Sequence, residues 1–362
     1  MSRGRPAGRR TLRCCRLWLS QGRSCGGIAC PADRSGNGVS TLTSLISTKV
    51  SMKHPDALRI ALVGIGKIAR DQHVPTIAAR ADVQLVATVS RHGTVDGVPA
   101  YQTLEDAFAA HPELEAVALC TPPVGRHALA QTALSAGRHV FLEKPPAATL
   151  AEINDLREVA RTAQRSLFTS WHSRCAAGVE PARAWLAGKR IMRAHITWKE
   201  DIRHWHPGQD WILEPGGMGV FDPGINALSI ATYVLPRAFA LREAELHTPE
   251  NRQAPLYARL GFVDTVGVPV TAEFDFLQTG HQRWDIEVDT TQGQLMLSEG
   301  GAKLHIDGQA QAVPASSEYD GLYQRFLHLV RAGESEVDVA PFVQVADAFL
   351  LGARKITAPF AW

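Results

Sequence analysis

Leu58-Arg59-Ile60-Ala61-Leu62-Val63-Gly64-Ile65-Gly66-Lys67-Ile68-Ala69 is the stretch that decides the fold. Its first six residues form a short, branched, apolar run of the kind that fills a strand buried on both faces of a parallel sheet. The turn after it has the arrangement G-x-G-x-x-A. Gly64 permits a tight turn, Gly66 lets the backbone approach a pyrophosphate, and the small Ala69 allows the next helix to pack close to the strand. A helical pattern through about Arg80 then presents a helix N-terminus to the phosphates. A lone glycine pattern is weak, but the strand before it and the helix after it supply the context of a dinucleotide site. Lys67 and Ile68, inside the turn, belong with the expected cofactor contacts.

Working outward, a second strand over residues 83–89 ends in Ser90-Arg91-His92, where NAD-binding folds usually place an acid for the ribose hydroxyls. Here a hydroxyl and a guanidinium stand instead. Arg91 suits a 2′-phosphate, so NADP is the favoured cofactor, with NAD also usable; the bland alternative is a solvated charge at a strand end. Residues 116–120 read as another buried strand, closed by Thr121-Pro122-Pro123, and a helix beginning at His127 runs to a C-terminal Gly137. The strand from His139 to Leu142 then delivers Glu143-Lys144-Pro145. Thr121, Pro122, His127, Glu143 and Lys144 are thereby expected around the cofactor, at the carboxyl edge where open α/β sheets hold ligands. A lysine after a strand is more often a surface charge than a catalyst. Pro145 and Pro146 fix the backbone around this one, and an X-Pro bond can be cis.

The 362 residues are enough for two cores. No run approaches the roughly 18 unbroken apolar residues of a membrane helix, so no membrane partner is expected. The net charge of +2 is unevenly placed: residues 1–51 hold eight arginines and Lys49 against Asp33 alone, which leaves the rest acidic and a nucleic-acid partner unsupported. That segment also holds Cys14, Cys15, Cys25 and Cys30, leaving only Cys120 and Cys175 in the body. The spacing has no C-x-x-C and no following histidine pair, so no metal site is expected, and the body fits a reducing cytoplasm. Residues 1–51 are expected to be a disordered leader or sequence upstream of a native start at Met52, with a transit peptide as the other reading.

Beyond residue 172, Val270, Ala272, Phe274 and Phe276 alternate with polar neighbours, as do Trp284, Ile286 and Val288. Such period-two patterns mark antiparallel strands with one wet face. A last, largely apolar helix is expected from about Phe342 to Lys355, packing back on the fold. Residues 198–211 concentrate Lys199, Glu200, Asp201, His204, Trp205, His206, Gln209 and Asp210. Carboxylates, amides and aromatic faces together suit a polyol, though a partly solvated loop would look similar. Further on, Gly216-Gly217-Met218-Gly219 leads into Asp222-Pro223-Gly224-Ile225-Asn226. Asp222 before a proline has an ordinary explanation as a helix cap. It is also four residues from Asn226, so both can share one helix face.

The strings GIGKIA, CTPP, AGRHVFLEKP and GGMGVFDPGIN resemble the glucose-fructose oxidoreductase and inositol dehydrogenase (Gfo/Idh/MocA) family over about residues 56–362. SRH, EKPPAATL, WHSRCA, WKEDIRHWHPGQDWI and EPGGMGVFDPGINALSI resemble its bacterial aldose 1-dehydrogenases for L-arabinose and D-galactose. The resemblance implies an α/β protein: a Rossmann domain over residues 56–172, an α+β substrate and oligomerisation domain with an open, mainly antiparallel sheet over 173–340, and the C-terminal helix over 341–362. It also implies a homodimer or homotetramer built through that sheet. The implied reaction oxidises the anomeric hydroxyl of L-arabinose, D-galactose or D-fucose to the aldonolactone. Lys144 would bind and deprotonate that hydroxyl, Asp222 would orient the lysine and the sugar, and His206 would bind hydroxyls or relay the proton. Glu200, Asn226, His172 and Trp205 would bind the substrate. Asn226 stands where many relatives have histidine, and asparagine transfers no proton near neutral pH. The alternatives are a cyclitol or polyol dehydrogenase of the same family and a non-catalytic NADP-binding sugar sensor.

Overall fold

The run Leu58–Val63 forms β1, buried along nearly its whole length as an apolar central strand must be. The computed structural model describes residues 56–362, so the expectation for residues 1–51 lies outside the described residues. β2 (Val83–Val89), β3 (Ala100–Tyr101), β4 (Ala116–Leu119), β5 (His139–Glu143) and β6 (Leu167–Ser170) complete a parallel sheet ordered β3-β2-β1-β4-β5-β6. This is the doubly wound Rossmann order. The winding reverses between β1 and β4, and a crevice opens outside their carboxyl ends.

After β1 the chain enters the helical layer through a π-helical turn, Ala69–His73, that runs on into α1 (Val74–Ala79). α2 (Leu104–Ala110), α3 (Arg126–Ser135) and α4 (Leu150–Ala163) make the later crossovers. α4 starts with a reciprocal capping box between Thr149 and Glu152, satisfying amides that the helix leaves unpaired.

The second half begins with α5 (Val179–Leu186), β7 (Ile191–Lys199), α6 (Ile202–Trp205) and α7 (Phe221–Val234). Seven strands follow: β8 (Phe239–Pro249), β9 (Tyr257–Asp264), β10 (Pro269–Asp275), β11 (Arg283–Thr290), β12 (Gly293–Ser298), β13 (Lys303–Ile306) and β14 (Gln309–Ala310). Then come α8 (Glu318–Ala332), α9 (Ala340–Leu351) and β15 (Ala353–Thr357). The nine-stranded sheet runs β14-β13-β12-β11-β7-β10-β9-β8-β15, antiparallel except at β10/β7 and β15/β8. Val270, Ala272 and Phe274 of β10 point into a core shared with α5, α7 and α9, as their alternation requires.

Two features differ from the sequence reading. The last helix stops at Leu351, short of Lys355, because Ala353–Thr357 carries no apolar stripe for the core; fully exposed, it pairs its backbone with β8 instead. α8, which follows the second sheet in the chain, packs on the first: Tyr319, Tyr323 and Phe326 join Ile60, Leu62, Phe141 and Phe168 in one buried cluster.

Candidate active site

Two cavities lie at the carboxyl edge of the first sheet, one bounded by Gly64, Ile65 and Gly66 and the other by Lys67 and Ile68 of the same turn. The outer cleft, about 620 Å3, is bounded by Gly64 and Gly66, by Ser90 and Arg91, and by Thr121 and Pro122. Gly64 has φ +87°, and a Cβ there would stand 2.8 Å from Thr121 Cγ2 and 3.0 Å from its backbone nitrogen, so only glycine fits between β1 and β4. Gly66 has nothing within 4 Å of the place a Cβ would take, which leaves its backbone open to a large anionic group. Ser90 Oγ accepts the Gly93 backbone N–H at 3.1 Å and so shapes the loop after β2. Arg91 is exposed at the edge of the cleft, with no partner among the described residues. These residues fit a dinucleotide with a phosphate on its adenosine ribose.

The inner cavity, about 460 Å3, is lined by Lys144, Asp222, His206, Glu200, Asn226, His172 and Trp205, together with Lys67 and Ile68 from the dinucleotide turn. Lys144 follows β5, and the Lys144-Pro145 peptide is cis. Its ammonium donates to the backbone carbonyl of Asp222 at 2.9 Å and to Asp222 Oδ1 at 3.1 Å. Asp222 is therefore no cap: α7 begins one residue earlier at Phe221, with Val220 in the cap position, and the carboxylate is engaged by the lysine. Asn226, one turn further along α7, faces the same cavity.

From the opposite wall, His206 Nε2 lies 3.7 Å from Asp222 Oδ2 and 3.9 Å from Glu200 Oε1. Glu200, just past β7, accepts the Trp284 indole N–H at 2.8 Å. Trp205 stands edge-on to Trp284 at 5.7 Å and donates its indole N–H to Gln282 at 2.5 Å. Burial, with Asp222 adding repulsion, pushes Glu200 up to about 7 despite the Trp284 hydrogen bond. Burial also lowers His206 below the usual histidine value, with Asp222 opposing and Lys144 assisting the shift, so the imidazole is neutral at neutral pH. Asp222 is buried, which alone would raise it, but the charge and hydrogen bond of Lys144 hold it below the ordinary carboxylate range. The cavity thus sets a charged pair, a neutral imidazole and a carboxyl poised near neutrality around one space. That inventory can bind hydroxyls and move a proton beside a dinucleotide.

Two expected cofactor contacts lie elsewhere. His127 sits on the outer side of α3 with Nε2 2.7 Å from Asp155 Oδ2 on α4, because the residue that begins the helix and turns inward is Arg126. Glu143 is buried behind the lysine, bonded to His73 and Tyr319. Trp284, Glu299 and Glu318 line the inner cavity without having been singled out as site residues in the sequence; Glu318 Oε2 is 2.5 Å from His172 Nδ1. No group of three or more histidine, cysteine or acidic side chains among the described residues is placed to hold a metal ion, and no helix there is long and apolar enough to cross a membrane.

Residues 58–170 match the model of the Gfo/Idh/MocA family, described as an oxidoreductase family with an NAD-binding Rossmann fold. The galactose 1-dehydrogenase of Pseudomonas fluorescens is 44% identical over 306 residues, covering 84% of this chain and 98% of that protein. A crystal structure of a D-galactose-1-dehydrogenase from Rhizobium etli superposes with a TM-score of 0.82 at 55% identity, over 85% of this chain and 99% of that one. A 3-ketoreductase of Actinomadura kijaniata, solved with NADP and TDP-benzene, shares the fold at 18% identity with a TM-score of 0.73, over 83% of this chain and 99% of that one.

Proposed function

The chain belongs to the Gfo/Idh/MocA oxidoreductases with an NAD-binding Rossmann fold, and we propose that it is an aldose 1-dehydrogenase that takes D-galactose and prefers NADP. The observation that carries this reading is the Lys144–Asp222 pair facing His206 and Glu200 across a cavity that adjoins the dinucleotide cleft. D-Galactose comes from the two relatives similar over nearly their whole lengths; L-arabinose and D-fucose differ from it at the C5 substituent and are the next substrates to try. NADP is supported by Arg91, free at the end of β2 where an acid would repel a 2′-phosphate.

Held by Gly64, Gly66, Ser90 and Arg91, an oxidised nicotinamide dinucleotide would supply the hydride acceptor for C1. The residues of the chain handle what remains. Glu200 and Asn226 bind ring hydroxyls from opposite walls, while Trp205 and Trp284 offer an apolar boundary to C–H surfaces. Asp222 holds the Lys144 amine by two of its bonds and leaves its remaining direction for the anomeric oxygen. As C1 loses hydride, the proton of O1 passes to Lys144 while the ammonium gives up one of its own protons through Asp222. His206, neutral and 3.7 Å from Asp222, is the acceptor that passes the proton on, which accounts for a site that works with asparagine at position 226.

The test is a panel of aldoses assayed with NADP and NAD, with lactone detected as product, on the wild type and Lys144→Ala. D-Galactose with NADP should give the highest kcat/KM. Removing the lysine should lower kcat/KM by about 100- to 10,000-fold, the range for a lost acid–base group. Near wild-type turnover in Lys144→Ala, or product oxidised at another carbon, would defeat the reading.

A further inference from the structure

Behind Lys144, outside both cavities, lies a buried polar cluster with no part in the chemistry above. His73, the last residue of the π-helical turn, is fully buried. Its Nδ1 is 2.7 Å from Tyr323 Oη and its Nε2 3.0 Å from Glu143 Oε1. Tyr319 donates its hydroxyl to the same Glu143 oxygen at 2.9 Å. The other oxygen, Oε2, accepts the backbone N–H of Lys144 itself at 3.2 Å. Arg126, also buried, donates to the carbonyls of Glu143 and Pro145, on either side of the lysine, and to that of Thr121. The main chain that carries the lysine is therefore gripped at three consecutive residues.

A buried charged cluster is an inefficient source of stability, because desolvation offsets most of the Coulombic attraction. What this one provides is a fixed geometry among parts that each hold something else. His73 comes from the helix that follows the dinucleotide turn; Tyr319 comes from α8, beside the Glu318 that holds His172 in the inner cavity. Rings close on it from two sides, with Phe141 and Tyr319 edge-on to His73 at 5.3 and 5.1 Å. The Glu143 carboxylate joins His73, Tyr319 and the Lys144 backbone N–H, and the reacting amine hangs from that next residue.

We propose that Glu143 is a positioning residue for Lys144, locked by His73 and Tyr319 so that the lysine amine keeps its place between Asp222 and the cofactor. The proposal rests on the dehydrogenase reading of the site. Misplacing a reacting group by about 1 Å costs roughly 100-fold, which is the scale on which such a clamp acts.

Glu143→Gln keeps the size of the side chain and removes its charge. In assays with D-galactose and NADP it should lower kcat by about 10- to 100-fold and leave the KM for NADP within about threefold. Placed on Lys144→Ala it should cost nothing further, because both changes act through one amine. Equal losses in the two backgrounds, or an unchanged kcat, overturn the proposal. Tyr319→Phe removes a single O–H and serves if the glutamine variant does not fold; its expected loss in kcat is about three- to tenfold. A second readout is independent of substrate. In protein with 13C-labelled lysines, the Lys144 side-chain resonance, assigned by its absence in Lys144→Ala, should shift in Glu143→Gln or Tyr319→Phe while those of Lys189 and Lys355 stay. A stationary Lys144 resonance overturns the proposal. A shift in those variants, together with a wild type that oxidises no aldose, would sink the substrate reading and support the positioning role.

Discussion

Glu200 is the residue whose state should set the pH dependence of the enzyme. Burial raises its carboxyl to about 7, so it gains a proton as pH falls through neutrality, while His206, shifted downward, stays neutral over the same range. A protonated Glu200 has lost acceptor capacity for sugar hydroxyls, and kcat/KM should fall on the acid side of about pH 7. Glu200→Gln should abolish that inflection and lower kcat/KM by about 5- to 150-fold, the cost of about 1–3 kcal/mol for a poorly paired polar group. A pH–rate profile of both proteins checks it; an unmoved inflection assigns it to another group. Seven side chains expected at the substrate from local strings do line one cavity, since each sits at a strand end or helix start with its own sequence signal. Trp284 carried only the signal of an alternating strand, and Glu318 only that of a helix start. Their neighbours Glu200 and His172 are 84 and 146 residues away in the chain, a distance over which no local pattern speaks. Glu143 and His127 lie outside the lining of both cavities for a different reason: a strand end or a helix start places a residue near the crevice without fixing which way it turns.

At the scale of elements, α7 is the member that carries catalytic geometry on a packing contact. A Cβ on Gly224 would stand 2.8 Å from the ring of Phe274, itself fully buried in β10. Gly224→Ala must move the helix or the ring, at a cost of about 1–3 kcal/mol for overpacking. The expected result is a Tm several degrees lower, with a drop in kcat because Asp222 and Asn226 ride on the same helix. Calorimetry and steady-state assays test it, and an unchanged Tm would show that the contact yields freely. In the first sheet β1, β2, β4 and β5, with the helices after β1 and β4, were readable from apolar runs and glycine punctuation, whereas β3, β6, α2 and α4 were not read. The π-helical turn was not, because one extra residue per turn barely alters the apolar pattern from Ile68 to Ala79. The ending of the last helix was missed because Leu350 and Leu351 extend its apolar composition although they are exposed.

Across the whole molecule, the buried Glu143–His73 contact links stability to pH. Burial opposes the charge on Glu143, yet the hydrogen bond and charge of His73 hold it down to about 2, below the ordinary 4.5. A carboxyl depressed in the folded state contributes stability that is fully present above about pH 4.5 and is lost as pH falls toward 2. The difference in Tm between the wild type and Glu143→Gln should therefore be largest near neutral pH and shrink between pH 4.5 and 3; a constant difference would locate the acid sensitivity elsewhere. The position of α8 has a consequence for how the chain is made. Phe141 and Phe168 are translated about 155 to 185 residues before their cover, Tyr323 and Phe326, and the ribosome adds about 5–20 residues each second. For many seconds the nascent first sheet must wait with an aromatic face uncovered, which makes this step of synthesis the natural point for a chaperone to hold the chain.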